Sequence, residues 1–259
     1  MLVDTHAHLQ FPQFDEDVQD VIDRAVDEGV SHVVIIGTDV RSSKVAIELA
    51  ERNQFHATVG FHPHAAASFS TDGLKEFATS AGSDTVVAVG EIGLDFFRNR
   101  APRETQVEAF RRQLDFAVEH NLPVVIHDRD AHDEVASILE EYARRLPGVV
   151  LHCYSAGVEN VPKYLELGVH FSVSGQITYP RSNALREAVS SIPIDRILLE
   201  TDAPYQPPQS VRGRRNEPSF LTYTAQCLAG LIRLSYDDVC RITSANAARF
   251  FSIELGVIE

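Results

Sequence analysis

The amino-acid sequence predicts an α/β protein of the (β/α)8 TIM-barrel class, formed as one domain over residues 1–259. Eight apolar segments alternate with amphipathic helical patterns, and eight such units in about 250 residues are typical of this barrel. The segments are rich in Val and Ile and apolar on both faces, as strands buried in a parallel sheet tend to be. A doubly wound open sheet is the competing fold, but the chain has neither a Gly-x-Gly-x-x-Gly nor a P-loop motif.

The position of each element follows from these patterns. We expect strands at 2–8, 32–37, 56–60, 85–91, 123–127, 149–153, 169–174 and 196–202. Apolar residues at helical spacing predict helices at 15–29, 43–53, 103–121, 133–146 and about 217–233 and 236–250. Gly29 and Asn121 stand where helix C-terminal stops are expected. No interdomain linker, low-complexity segment or repeat beyond the βα unit is present, which supports a single domain.

Composition and charge limit the classes of function. The net charge of −14 leaves no broad basic face for nucleic acid, so an anionic substrate would need local metal ions or arginines. The chain contains no run of about 18 apolar residues, so no membrane span is predicted, and the N-terminus lacks a signal-peptide pattern. The three cysteines form no Cys-x-x-Cys motif, and their odd number is typical of a reducing compartment. We therefore expect a cytoplasmic protein.

The first predicted strand, LVDTHAH, places Asp4, His6 and His8 at alternate positions. Such alternation points the three polar side chains to one face, where burial without partners is costly. A metal ion would explain them, since His is the commonest metal ligand, whereas a polar terminus with a chance His-x-His is the alternative. The rest of the chain decides between the two interpretations.

Ligand-type residues also follow or end most of the other predicted strands. They are His62 and His64 after strand three, Glu91 at strand four, His127 at strand five, His152 at strand six and Asp202 at strand eight. In a barrel this end of the strands carries the catalytic residues. Each residue alone is more often a hydrogen-bonded core residue, a helix N-cap or an ion-pair partner, but their coincidence at successive strand ends favours a metal site. Ring closure would bring Asp202 near His6 and His8.

The number of these ligands predicts two metal ions. Imidazole and carboxylate groups suit Zn²⁺, Mn²⁺ or Mg²⁺, and six ligands exceed what one ion normally takes. The predicted metal ligands are His6, His8, Glu91, His127, His152 and Asp202. We expect Glu91 to bridge the ions and Asp202 to orient the attacking water and accept its proton, so both are candidate catalytic residues. None of the three lysines ends a predicted strand, which disfavours a Schiff-base aldolase and a lysine-bridged amidohydrolase.

The chain also carries longer motifs: VDTHAHL, GFHPH, VGEIGLDFF, VIHDRDA, LHCYSAG, SVSGQITYP, LLETDAPY, RGRRNEP and NAARFF. With these motifs the sequence resembles, over essentially its whole length, the TatD family of metal-dependent deoxyribonucleases within the amidohydrolase-like barrels. The resemblance implies hydrolysis of DNA phosphodiesters, typically from the 3′ end, and metal ligation by the same six residues. Ala156 departs from the family, which more often has an aromatic residue, Ser or Thr, and then Gly directly. This departure concerns the shape of the substrate cleft and not the metal site.

Substrate contacts are expected on the loops that follow the strands. His62 and His64 are candidates for contact with a phosphate oxygen or the leaving group, and Arg129 and Arg215 for contact with phosphate. Further candidates are Arg98, Arg100 and Arg103 for phosphate, and Phe96, Phe97 and Tyr205 for stacking on an unpaired base. Solvated loop charge and core packing are the alternatives for these side chains. The expected partner is DNA, single-stranded or at 3′ ends, and the expected protein is a monomer without membrane contact.

Two other functions stay open from the sequence. TatD-like proteins include members assigned to other hydrolyses, including removal of D-amino acids from tRNA, and the motifs do not distinguish these subfamilies. A non-catalytic barrel that retains metal for structure would show degraded ligands, whereas all six are present. Release of nucleotides from single-stranded DNA, as opposed to release of an amino acid from charged tRNA, would separate the two enzymes.

Overall fold

A computed structural model describes residues 1–255, so residues 256–259 at the end of the predicted domain lie outside the described range. The strands of the described range are β1 (Leu2–Ala7), β2 (Val30–Ile36), β3 (His56–Val59), β4 (Val86–Asp95), β5 (Val124–Arg129), β6 (Val149–Leu151), β7 (His170–Val173) and β8 (Ile197–Leu199). Its α-helices are α1 (Val18–Asp27), α2 (Val40–Asn53), α3 (Thr71–Ser80), α4 (Arg103–Glu119), α5 (His132–Tyr142), α6 (Val161–Glu166), α7 (Asn183–Ser191), α8 (Leu221–Ile232) and α9 (Tyr236–Phe251).

The strands form one sheet whose order follows the chain from β1 to β8. Beyond β8, Ala203 forms a parallel bridge with Ala7 of β1, and the amide of Asp202 donates to the His6 carbonyl at 2.9 Å. Strands and helices that alternate in this order make a (β/α)8 TIM barrel, so the predicted fold class is confirmed. All eight predicted strands are present, with ends that differ by a few residues.

The described residues fall into two compact units. The first comprises Met1–Ile35, Cys153–Val161 and the chain from Phe171 onward, and the second comprises Ile36–His152 and Pro162–His170. In the first unit, β1 pairs with β2 and β7 pairs with β8, both in parallel. In the second unit, β3 pairs with β4, β4 with β5, and β5 with β6, also in parallel. A single domain over the whole chain stays a prediction.

In the first unit, helix α9 packs against β1 and β8. Ser235 begins this helix, and its side chain accepts a hydrogen bond from the amide of Asp238 at 3.1 Å. The side of α9 that faces the strands carries apolar residues such as Val239 and Phe251, both buried. Burial of one such side chain contributes about 1.5–3 kcal/mol. The helix therefore fixes the strand that carries His6.

In the second unit, β4 continues four residues beyond its expected end at Glu91 and stops at Asp95. Gly93 makes this extension possible, because it pairs with His127 of β5 at a φ of +133°, which glycine alone adopts readily. A Cβ atom on residue 93 would lie 2.1 Å from the carbonyl oxygen of His127. The prediction that strand four ends at Glu91 is therefore wrong, and β4 carries two carboxylates beside β5.

Two of the helices end where the sequence predicts. Helix α1 ends at Asp27 and Gly29 follows with a φ of +82°, while α4 ends at Glu119 and Asn121 follows with a φ of +52°. Gly and Asn tolerate this left-handed conformation, which ends a helix. Across residues 1–255, none of the helices combines the length and the apolar composition needed to pass through a bilayer.

The RGRRNEP segment after β8 is tied to helix α1 and the residue before it by two bidentate ion pairs. Arg24 donates to both oxygens of Glu217 at 2.9 and 2.7 Å. Arg215 donates to both oxygens of Asp17 at 2.8 and 2.6 Å. Burial raises the pKa of Glu217, but hydrogen bonds from Arg24 and Ser219 outweigh burial and hold that pKa below its ordinary value.

Replacing Gly93 by Ala should lower the free energy of unfolding by about 2–4 kcal/mol, because the added methyl group meets the His127 carbonyl in a backbone conformation costly for alanine. The measurement is urea unfolding followed by circular dichroism. Gly82→Ala is the matched control, since nothing lies within 4 Å of a Cβ atom there. Equal unfolding midpoints for the two variants would contradict this role of Gly93.

Replacing Glu217 by Gln should lower the free energy of unfolding by about 1–3 kcal/mol at pH 7, because the pair with Arg24 loses its negative charge. A carboxylate whose pKa is lowered in the folded state stabilises that state fully above its unfolded pKa. The effect is lost as pH falls through the folded value. The difference in unfolding free energy between wild type and variant should therefore shrink below pH 4.5.

The control for this prediction is Glu141→Gln. Glu141 forms an equally bidentate pair with Arg111, at 2.8 Å for both contacts, but on the exposed surface of the protein. Exposed pairs contribute less, so the loss should be smaller than for Glu217. A loss of equal size, or a Glu217→Gln effect that does not change with pH, would sink the prediction.

Candidate metal centre

The first unit brings His6, His8 and Asp202 together. The Nε2 atoms of the two histidines lie 3.2 Å apart, and Asp202 Oδ1 lies 3.8 Å from that of His6 and 3.5 Å from that of His8. None of the three residues is more than 6 % exposed. The histidines share a face because they are two residues apart in an extended segment, and Asp202 follows β8 with a φ of +56°. We call these three residues the first cluster.

Asp4, on the same strand, anchors β1 to the residue before Asp202. Its carboxylate accepts hydrogen bonds from the amide and the hydroxyl of Thr201 at 3.0 and 2.5 Å, and from the amide of His6 at 3.2 Å. Burial raises the pKa of Asp4 to about 7 in spite of these bonds. Its contacts hold the backbone on both sides of the first cluster in place.

Gln206, which the sequence analysis did not single out, holds the other oxygen of Asp202. Its Nε2 donates to Asp202 Oδ2 at 2.8 Å. Its Oε1 accepts from the thiol of Cys153 at 3.3 Å and from the amide of Gln176. These two donors fix which end of the Gln206 amide faces Asp202. The carboxylate therefore presents Oδ1 to the two histidines while Oδ2 is held from behind.

The second unit brings His127 and His152 onto one oxygen of Glu91. Glu91 Oε1 lies 2.7 Å from His127 Nδ1 and 2.8 Å from His152 Nε2, and these two nitrogens are 3.2 Å apart. Neighbouring strands place the three side chains, since Glu91 lies within β4, His127 within β5, and His152 directly after β6. Glu91 is only 2 % exposed. We call these three residues the second cluster.

The histidines around Glu91 stabilise its negative charge. Burial raises the pKa of this carboxyl, but the charges of His152 and His62 and the hydrogen bond with His127 outweigh burial and hold the pKa well below its ordinary range. Burial lowers the pKa of His127, but hydrogen bonds with Asp95 and Glu91 more than compensate and raise it. An ionised carboxylate buried among imidazoles is a donor set that a divalent cation takes.

His62 joins the second cluster as a hydrogen-bond donor. Its Nδ1 accepts the backbone amide of His64 at 3.0 Å, so the neutral ring carries its proton on Nε2, which lies 3.4 Å from Glu91 Oε1. Ligand atoms of His62, Glu91 and His127 lie within 4.8 Å of one another, yet the one lone pair of the His62 ring is already occupied. His62 therefore orients Glu91 in this conformation, and its contact with substrate stays a prediction.

Asp95 is a second residue that the sequence analysis missed. Its Oδ2 accepts from His64 Nε2 at 2.7 Å and lies 3.4 Å from His127 Nε2. Although burial raises the pKa of Asp95, hydrogen bonds from His127, His64 and the Arg98 amide hold it well below its ordinary value. A carboxylate behind a metal-binding imidazole commonly orients that ring. The alternation of residues 91, 93 and 95 along one strand is the signal that could have found it.

The two arginines predicted to contact substrate have different surroundings. Arg129 ends β5, is exposed, and places its guanidinium carbon 4.4 Å from the centroid of the Phe97 ring. Arg215 is held by Asp17 and by the carbonyl of Gln13. The guanidinium of Arg215 thus already has protein partners, whereas that of Arg129 lies on an exposed ring. Contact of His64, Arg129 and Arg215 with substrate stays a prediction.

Each cluster has the donor atoms and the spacing of a metal site. Around a tetrahedral ion with bonds of about 2.0–2.1 Å, neighbouring ligand atoms lie roughly 3.3 Å apart. The donor atoms are 3.2–3.8 Å apart in the first cluster and 2.7–3.2 Å apart in the second. Both clusters combine imidazole with carboxylate, which suits Zn²⁺, Mn²⁺ or Mg²⁺. The residues present in each cluster therefore fit a divalent cation.

Comparison with known proteins identifies relatives of the whole chain. The family model described as TatD related DNase matches residues 3–252. The metal-dependent hydrolase YabD of Bacillus subtilis is 37% identical, over 98% of this chain and 100% of its own length. The 3′-5′ ssDNA/RNA exonuclease TatD of Erwinia billingiae is 39% identical, over 97% of this chain and 99% of its own. The crystal structure of YJJV, a TatD homologue from Escherichia coli K12, gives a TM-score of 0.92 at 32% identity and covers 98% of each chain.

The range matched by the family model, residues 3–252, spans the positions of both clusters. The similarities extend over nearly the full length of each relative as well as of this chain. The chain therefore belongs to the TatD-related DNase family, as its motifs predicted.

Proposed function

We propose that this chain is a metal-dependent nuclease that removes nucleotides from the 3′ end of single-stranded DNA. Membership of the TatD-related DNase family supports a metal-dependent hydrolase of phosphodiester bonds. The observation that carries the proposal is the convergence of His127 and His152 on the buried Glu91, since it supplies the donors for a hydrolytic metal. The name of the Erwinia billingiae relative, a 3′-5′ ssDNA/RNA exonuclease, supports the polarity and the single-stranded substrate.

We propose that two divalent ions, Mg²⁺, Mn²⁺ or Zn²⁺, bind to the side chains of the two clusters. The ligands would be His6, His8, Glu91, His127, His152 and Asp202, with Glu91 as the bridging carboxylate. Divalent ions bound there would lower the pKa of a water molecule and polarise the phosphodiester. The spacing of the donors within each cluster supports this set, and the proton on His62 Nε2 argues for keeping His62 outside it.

We propose that Asp202 and Glu91 are the catalytic residues. Asp202 would orient the attacking water and take its proton through Oδ1, because Oδ2 is held by Gln206. As the water oxygen bonds to phosphorus, the bond from phosphorus to the leaving oxygen breaks, and that oxygen needs a proton. The leaving oxygen would take this proton from solvent, and His64, whose ring Asp95 holds through Nε2, would contact the substrate. His62, Arg129 and Arg215 would contact the substrate phosphates.

We further propose a monomer that works in a reducing compartment, the cytoplasm. None of the three cysteines, Cys153, Cys227 and Cys240, forms a disulfide within the described residues, which supports a reducing environment. The D-aminoacyl-tRNA deacylase considered from the sequence is not favoured, because the named relatives are nucleases and metal-dependent hydrolases. A non-catalytic barrel is not favoured either, since both clusters keep their donors close together.

Protein stripped of metal and resupplied with Mg²⁺ should release nucleotides from 3′-labelled single-stranded DNA. Asp202→Asn should lower the initial rate by about 10²-fold or more, because the proton acceptor is lost. Time-resolved analysis of the products checks both. If no nucleotide is released with Mg²⁺, Mn²⁺ or Zn²⁺, the nuclease proposal fails, and amino acid released from charged tRNA in the same samples would establish the deacylase instead.

His127→Ala should reduce the metal content from two ions per chain to about one, because the second cluster loses one of its two imidazoles. Elemental analysis and calorimetric titration with Mn²⁺ measure the stoichiometry without reference to activity. His120→Ala is the matched control and should keep two ions, since His120 caps α4 and packs on Phe116. Equal metal content in the two variants would remove His127 from the proposed ligands.

A further inference from the structure

Phe97 is the most exposed large apolar side chain among the described residues, with 56 % of its surface accessible. It lies in the turn directly after β4. Two guanidinium carbons approach its ring, that of Arg129 at 4.4 Å from the centroid and that of Arg98 at 5.7 Å. Such cation–π contacts hold an aromatic ring in a defined orientation, and more than half of the Phe97 surface stays accessible. The turn therefore presents an oriented aromatic surface to solvent.

Four arginines lie close to Phe97 in sequence or on the neighbouring strand β5, although the whole chain carries a net charge of −14. The arginines are Arg98, Arg100 and Arg103 of the FFRNRAPR segment, and Arg129 at the end of β5. In the part of the chain that the structure describes, none of these four guanidinium groups forms an ion pair. The acidic residues that follow in sequence, Glu104 and Asp130, pair with none of them. The charges are therefore available to an anion.

The second cluster and this surface share one anchor, Asp95. The amide of Arg98 donates to Asp95 Oδ1 at 2.6 Å, and the strand register sets Asp95 opposite Arg129 of β5. The other oxygen of the same carboxylate accepts from His64 and lies 3.4 Å from His127. The aromatic turn and the imidazoles of this unit are thus held by a single buried group at the same end of the strands.

We propose that Phe97, Arg98 and Arg129 bind one nucleotide of a single-stranded nucleic acid, with its base on the Phe97 ring and its phosphate on the guanidinium groups. This inference rests on the proposed nuclease function. Every base has a face that can stack on an aromatic ring, so the contact tolerates any sequence, and the planar guanidinium matches phosphate. A base within a duplex has both faces covered by its neighbours. The surface therefore selects unpaired strands.

The test is the affinity for a fluorescent decathymidylate whose 3′-terminal linkages are phosphorothioates, which keep the negative charge and resist hydrolysis, measured by anisotropy on protein supplied with Mg²⁺. Phe97→Ala should raise Kd about tenfold, the effect of losing one stacked base, and Phe97→Tyr should keep the wild-type Kd. Arg129→Gln should raise Kd and reduce the slope of log K against log salt by about 0.7, which corresponds to one phosphate of a single strand. Phe97→Ala should leave that slope unchanged.

Two controls separate this surface from general effects on the protein. Tyr223→Ala removes an exposed ring of α8, and Arg112→Gln removes an exposed guanidinium of α4 that is paired with Glu108. Both should bind like the wild type. Wild-type protein that binds no oligonucleotide, or a Phe97→Ala variant with unchanged Kd, would overturn the proposal. If the wild type releases nucleotides but wild type and Phe97→Ala have the same Kd, the nuclease function stands and only the proposed binding surface is wrong.

Discussion

The candidate site depends on the burial of one carboxylate, that of Glu91. An isolated carboxylate with 2 % exposure would protonate, because the charged form loses its hydration. Three imidazoles prevent this by approaching the same oxygen, at 2.7 Å for His127, 2.8 Å for His152 and 3.4 Å for His62. The same arrangement makes Glu91 a strong acceptor for any divalent cation that replaces the protons. The arrangement of imidazoles that compensates the charge of Glu91 is therefore also the arrangement that would bind a metal ion. It requires the strands that carry these side chains to stay in register.

The register between β4 and β5 meets this requirement from both sides of His127. Glu91 Oε1 faces the Nδ1 atom at 2.7 Å and Asp95 Oδ2 faces the Nε2 atom at 3.4 Å, so one ring stands between two carboxylates. β4 can supply both only because Gly93, between them in sequence, lets the strand continue where any Cβ atom would meet the His127 carbonyl. The backbone conformation of Gly93 thus sets the orientation of the His127 ring, because it lets both carboxylates reach that ring.

The sequence was sufficient for the fold and insufficient for the contacts around the candidate site, whose metal ligands stay a prediction. Hydrophobic periodicity predicts all eight strands and the helix stops at Gly29 and Asn121, because both are local properties of the chain. Asp95 escaped because the strand was expected to end before it. Gln206 was not predicted because it contacts Asp202 through a turn in which its own φ is +52°, and hydrophobic periodicity does not indicate such a turn. Such contacts depend on the tertiary structure, and the spacing of residues along the chain does not predict them.

The distribution of ion pairs explains how an acidic chain can accept an anionic substrate under the proposed function. Arg24 and Arg215 form ion pairs with Glu217 and Asp17, respectively, and these pairs stabilise the fold. Arg98, Arg100, Arg103 and Arg129, near Phe97, form no ion pair within the described residues. A net charge of −14 disfavours the long duplex faces that a basic protein would coat. Under the proposed function, the arginines near Phe97 would then bind a short unpaired strand and not a long duplex.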